Sequence, residues 1–117
     1  MEKEIKDKML KKAKNAIKYA YVPYSDFPLS AALLTKEGKI FTGVNIENAA
    51  YGSTMCAERT AIFKAVSEGY TEFEALLLLS DTKKPVTPCG ACRQVINEFS
   101  KEIDIIMTTY NKDEIVK

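Results

Sequence analysis

The chain has 117 residues, 46% of them hydrophobic and 28% charged, the balance of an ordinary globular domain with room for one core. Seventeen Lys and Arg face sixteen Asp and Glu, a net charge of +1, so no broad field recruits nucleic acid or an anionic membrane. Histidine is absent and there are three cysteines. Serine–histidine triads, histidine bases and histidine metal sites are therefore excluded, and any metal must sit on sulfur or carboxylate.

No apolar run is long enough to cross a bilayer, and Met1-Glu2-Lys3-Glu4 carries no signal-peptide core. With three cysteines, that places the expected site of action in a reducing, cytoplasmic compartment. Residues 2–20 are rich in lysine but interleaved with acids, and Ile5, Met9, Ala13, Ala16, Ile17 and Ala20 form a helical stripe. Val22-Pro23 should end that helix, because proline disfavours helical geometry in the residue before it.

Residues 27–35 and 40–45 read as two strands joined by the turn Lys36-Glu37-Gly38-Lys39, an N-terminal hairpin. Tyr51-Gly52-Ser53-Thr54 is a loop in which Ser53 or Thr54 would cap a helix over residues 55–68, stopped by Gly69. That helix is apolar around much of its girth, so it belongs against a sheet or another subunit. Residues 75–79 lack alternation and suit a strand buried on both faces. Thr87-Pro88 is a cap followed by proline at the first helical position, opening a helix with Cys92, Val95, Ile96 and Phe99 inward. Residues 103–108 form another apolar strand, parallel to the preceding one through a right-handed crossover. The order predicts an α/β fold, a mixed sheet covered by helices.

The chemistry concentrates at two helix starts, Cys56-Ala57-Glu58-Arg59 and Cys89-Gly90-Ala91-Cys92. Helix N-termini favour negative charge and hence the metal-binding thiolate. Three thiolates would leave zinc's fourth position open, the pattern of catalytic sites. Their surplus negative charge is offset by the helix ends and by Arg59, which could donate hydrogen bonds to the ligand sulfurs. Glu58 can share the site with Cys56 only in the helix's first turn, where it could carry a proton from water to a leaving amine. On the residues alone, a redox pair at Cys89 and Cys92, half of a structural zinc knuckle, and inert buried cysteines remain open beside catalytic zinc.

Four blocks resemble the small cytidine deaminases: Tyr24-Ser25-Asp26-Phe27, Asn45-Ile46-Glu47-Asn48-Ala49, Cys56-Ala57-Glu58-Arg59-Thr60-Ala61 and Pro88-Cys89-Gly90-Ala91-Cys92-Arg93-Gln94. They run in order from about residue 8 to residue 108, and together they are highly specific. The resemblance implies a single three-layer α/β/α cytidine deaminase-like domain over residues 1–117, with helices on both faces of the sheet. It implies one zinc ion per subunit on Cys56, Cys89 and Cys92, with Glu58 shuttling protons while water attacks C4 of cytosine and ammonia leaves. The Ala57 amide and the Thr87 carbonyl would recognise the base, Asn45 and Glu47 would anchor the ribose, and Phe27 would be an aromatic wall. By spacing alone Phe27 is equally a core residue, and Asn45 and Glu47 a solvated strand end.

The implied substrates are cytidine and 2′-deoxycytidine, for pyrimidine salvage; a modified cytosine nucleoside is the alternative, and a zinc-stabilised module without turnover another. The implied assembly is a homotetramer, or a dimer, with Ala49 and Tyr51 reaching a neighbour's site. Two departures stand out. Ser30 occupies a position where the family usually shows glycine, so the added side chain is expected to shift Phe27 or the sheet behind it. The stretch after residue 108 is shorter than the family's usual tail.

Overall fold

The computed structural model describes residues 3–23, 28–47, 49, 55–80, 98 and 103–108, and the backbone of 113–116. Helix α1 spans Lys3–Ala16 and buries Met9 and Ala13. A single 3₁₀ turn, Ile17–Tyr19, follows and buries Ile17. The helix thus stops short of residue 20, before Pro23 can act. Ala20 turns extended, at φ −59° and ψ 135°, because Tyr21 is taken into a bridge with Ile46. A tertiary pairing, not the proline, sets this boundary.

Strands β1, Leu29–Thr35, and β2, Ile40–Val44, form the expected antiparallel hairpin, with Leu33 opposite Phe41 and Leu34 opposite Ile40. Its turn is closed by Gly38 N donating to Thr35 O at 3.0 Å. Lys39 N donates to Thr35 Oγ1 at 3.0 Å. Gly38 sits at φ +94°, which only glycine adopts without strain. Helix α2 spans Ala57–Ser67, strand β3 Phe73–Ser80 and strand β4 Asp104–Thr108. Strand β5, Asp113–Val116, pairs antiparallel with β4. The five-stranded sheet has the order β2-β1-β3-β4-β5. Strands β3 and β4 are parallel, as expected. The helix expected after Pro88, which would make their crossover, lies outside the described residues.

The two faces of this sheet explain the missing alternation in its central strands. Ala31 and Leu33 of β1, and Leu76 and Leu78 of β3, pack with Ala57, Ala61, Ile62 and Ala65 of α2. Their neighbours Ala32, Leu34, Ala75, Leu77 and Leu79 pack on the opposite face with Met9 and Ala13 of α1. Both faces are dry, so Ala31–Leu34 of β1 and Ala75–Leu79 of β3 are apolar without alternation. Three layers result, with α1 on one side and α2 on the other. Phe63 lies on the far side of α2 and is 42% exposed, since one sheet covers only one face of the helix. Lys64 Nζ donates to Thr42 O of edge strand β2.

Ser30 does not displace the sheet. It is fully buried, and its register is unbroken towards both Val44 and Leu79. Its hydroxyl donates to Ala13 O at 2.8 Å, tying α1 to β1. Ser30→Ala should therefore lose about 1 kcal/mol of stability, the usual worth of one such bond. Urea unfolding would read this as a lower midpoint at unchanged slope.

Candidate active site

The site begins where three distant pieces of backbone meet. Ile46 N donates to Met55 O at 2.9 Å, and Met55 N to Ile46 O at 2.8 Å. On the other side of this segment, Tyr21 N donates to Asn45 O at 3.0 Å and Glu47 N to Tyr21 O at 2.8 Å. Residues 45–47 are thus clamped between Tyr21 and Met55. Because Met55 is held in this pairing, the chain stays extended through Cys56, at φ −77° and ψ 154°, and α2 begins at Ala57.

Cys56 is therefore the N-cap residue, with no side-chain cap hydrogen bond from it. Ser53 and Thr54, the expected caps, lie outside the described residues and at least two positions before the helix's actual cap. The shift places Cys56, Ala57, Glu58 and Arg59 successively at the helix's entrance, so the cysteine and the glutamate both belong to its first turn. Glu58 is 3% exposed. A buried carboxylate at a helix N-terminus meets the positive end of the dipole. The amide of Ala57 is among the first of the helix, which have no acceptor within it and can serve a ligand. Arg59 Nη2 donates to Cys56 Sγ at 3.6 Å. A guanidinium and a helix start on one sulfur both favour negative charge there.

Asn45 is buried rather than a solvated strand end. Its Oδ1 accepts from Leu29 N at 2.9 Å, and its own amide donates to Leu29 O at 3.2 Å. That bond turns the side-chain oxygen towards Leu29 N and so fixes the orientation of the amide group. Glu47 is half-buried one residue beyond Ile46, and Ala49 is exposed. Phe27, Tyr51, Thr87, Cys89 and Cys92 lie outside the described residues. Asn45, Glu47, Cys56, Ala57, Glu58 and Arg59 are brought to one neighbourhood by the Ile46–Met55 pair.

Two residues of this neighbourhood escape a reading by spacing. The Thr60 hydroxyl reaches Val44 O at 3.1 Å and Cys56 O at 3.0 Å. Gly43 lets β2 and α2 touch backbone to backbone: a Cβ there would stand 2.5 Å from Ala57 O and 3.0 Å from Ala61 Cα. Glycine inside a strand is the signal that could have announced the second.

A mixed sheet between helices, with a cysteine at a helix cap beside a buried glutamate, is the frame of a metal-site enzyme. The family model for the "cytidine and deoxycytidylate deaminase zinc-binding region" matches residues 3–109, and the chain belongs to that family. A cytidine deaminase of Sporosarcina psychrophila is 59% identical over 93 residues, 80% of this chain and 68% of that one. A probable cytidine deaminase of Dictyostelium discoideum is 56% identical over 100 residues, 85% of this chain and 68% of that one. The crystal structure of a cytidine deaminase from Burkholderia pseudomallei superposes with a TM-score of 0.89 at 43% identity, covering 95% of this chain and 91% of that one. Zinc is the family's metal. The described part of the donor set fits it: a thiol at a helix start, with an arginine donating to its sulfur, is suited to a charged ligand.

Proposed function

We propose that this chain is a zinc-dependent cytidine deaminase, converting cytidine and water to uridine and ammonia and treating 2′-deoxycytidine alike. The observation that carries this is the buried Glu58 in the same helical turn as Cys56. Cys56, Cys89 and Cys92 would hold the zinc, which when bound acidifies a water and so supplies the nucleophile. Glu58 carries one proton of that water to N3 of the base and the other to the C4 amino group, which leaves as ammonia while the water's oxygen becomes the C4 carbonyl. Its burial keeps the carboxylate from competing solvent, so each proton moves between two defined partners. The Ala57 amide and the Thr87 carbonyl hold the base, and Phe27 lies beside it. Asn45 and Glu47 hold the ribose hydroxyls. Arg59 offsets the surplus negative charge of the sulfurs.

The same reading makes residues 1–117 one domain that works in the cytoplasm as a homotetramer, with Ala49 and Tyr51 at a neighbour's site. Among the described residues no helix is long and apolar enough to cross a membrane. The test is direct. Purified protein should contain zinc by metal analysis, and its addition to cytidine should lower the ultraviolet absorbance as uridine accumulates. Zinc present with no turnover of either nucleoside would overturn the enzymatic reading. Turnover confined to a modified cytosine nucleoside would move the substrate, not the chemistry.

A further inference from the structure

The Thr60 hydroxyl lies between two carbonyls that belong to different halves of the site. One, Cys56 O at 3.0 Å, is the ordinary bond of a threonine to the residue four earlier in its helix. That carbonyl also accepts from Thr60 N at 3.0 Å, so it does not depend on the hydroxyl. The other, Val44 O at 3.1 Å, is sixteen residues away and immediately precedes Asn45. Helix geometry does not require this second contact.

We infer that Thr60 is a positioning residue, whose hydroxyl sets the distance between the sugar-holding segment 45–47 and the helix start carrying Cys56 and Glu58. The inference rests on the deaminase reading above. The backbone pair Ile46–Met55 joins these pieces on one side and the Thr60 hydroxyl on the other. Tyr21 and Leu29 hold residues 45–47 in the sheet, and the Thr60 bond sets how close the carbonyl leading into Asn45 stands to α2. Sugar-holding groups set slightly out of place lose grip on ground state and transition state alike, which shows in KM more than in kcat. Thr60 touches neither reacting atom nor sugar in this account; it acts through Val44 and Asn45.

Thr60→Val keeps the shape and the methyl group but removes the donor. For cytidine, KM should rise roughly tenfold with a smaller change in kcat, as expected when one orienting hydrogen bond is lost. For 1-methylcytosine, which has the base but no sugar, kcat/KM should change by less than about threefold, because misplacing residues 45–47 leaves it nothing to lose. Zinc content should match the wild type, and Thr60→Ser should restore the cytidine KM. Equal falls for both substrates would mean general damage to the fold and would overturn the inference. So would an unchanged cytidine KM in Thr60→Val. An inactive wild type would instead sink the deaminase reading itself, which separates the two failures.

Discussion

Gly43→Ala is expected to lower the melting temperature by roughly 10 °C and to reduce deamination well below what the lost folded fraction explains. The added methyl would stand 2.5 Å from Ala57 O and closer still to Ala61 N. Neither atom can rotate away, since both are backbone of α2. Overpacking of this kind typically costs about 1–3 kcal/mol, and about 3 kcal/mol corresponds to a shift on the order of 10 °C in a domain of this size. The relief available is for α2 to lift off β2 at its N-terminal half. That half carries Cys56 at the cap and Glu58 in the first turn. Thermal melts and cytidine turnover below the transition check both parts. A melting temperature within about 2 °C of the wild type would refute the close approach.

Glu58→Gln should leave zinc bound and the fold intact while cutting kcat for cytidine by at least about 10²-fold, the lower bound for a positioned proton carrier. Glutamine matches the shape of glutamate, so the packing around this 3% exposed side chain is kept. What disappears is the ability to take up and release a proton. Binding of uridine should change far less than turnover, because a group acting on the proton in flight contributes mainly to the transition state. Metal analysis, uridine affinity and single-turnover rates separate these effects. A glutamine variant that deaminates normally would remove Glu58 from the chemistry.

Local pattern carried much of this architecture. The hairpin could be read from a glycine-bearing turn between two apolar runs, and its register follows from the turn. The unbroken apolar run in β3 announced two covered faces, and α1 and α2 cover them. Less legible were boundaries decided by distant partners. α1 stops where Tyr21 is drawn to Ile46, and α2 starts late because Met55 is drawn to the same residue. Propensity for a serine or threonine cap cannot anticipate a strand pairing that keeps the chain extended past it. Within the site, the grouping of Cys56 with Glu58 was readable from the demand that both lie in one turn. Gly43 and Thr60 were not, because their partners lie on the far side of a helix–strand contact. Two of the three candidate metal ligands, Cys89 and Cys92, lie outside the described residues.

The strand order β2-β1-β3-β4-β5 bears on how the molecule is made. Once the hairpin exists, each later strand joins the same open flank, in the sequence in which a ribosome would deliver it. None must be inserted between two strands already in place. Vectorial synthesis, in which N-terminal parts emerge and fold first, is thus matched by an assembly that only ever extends outward.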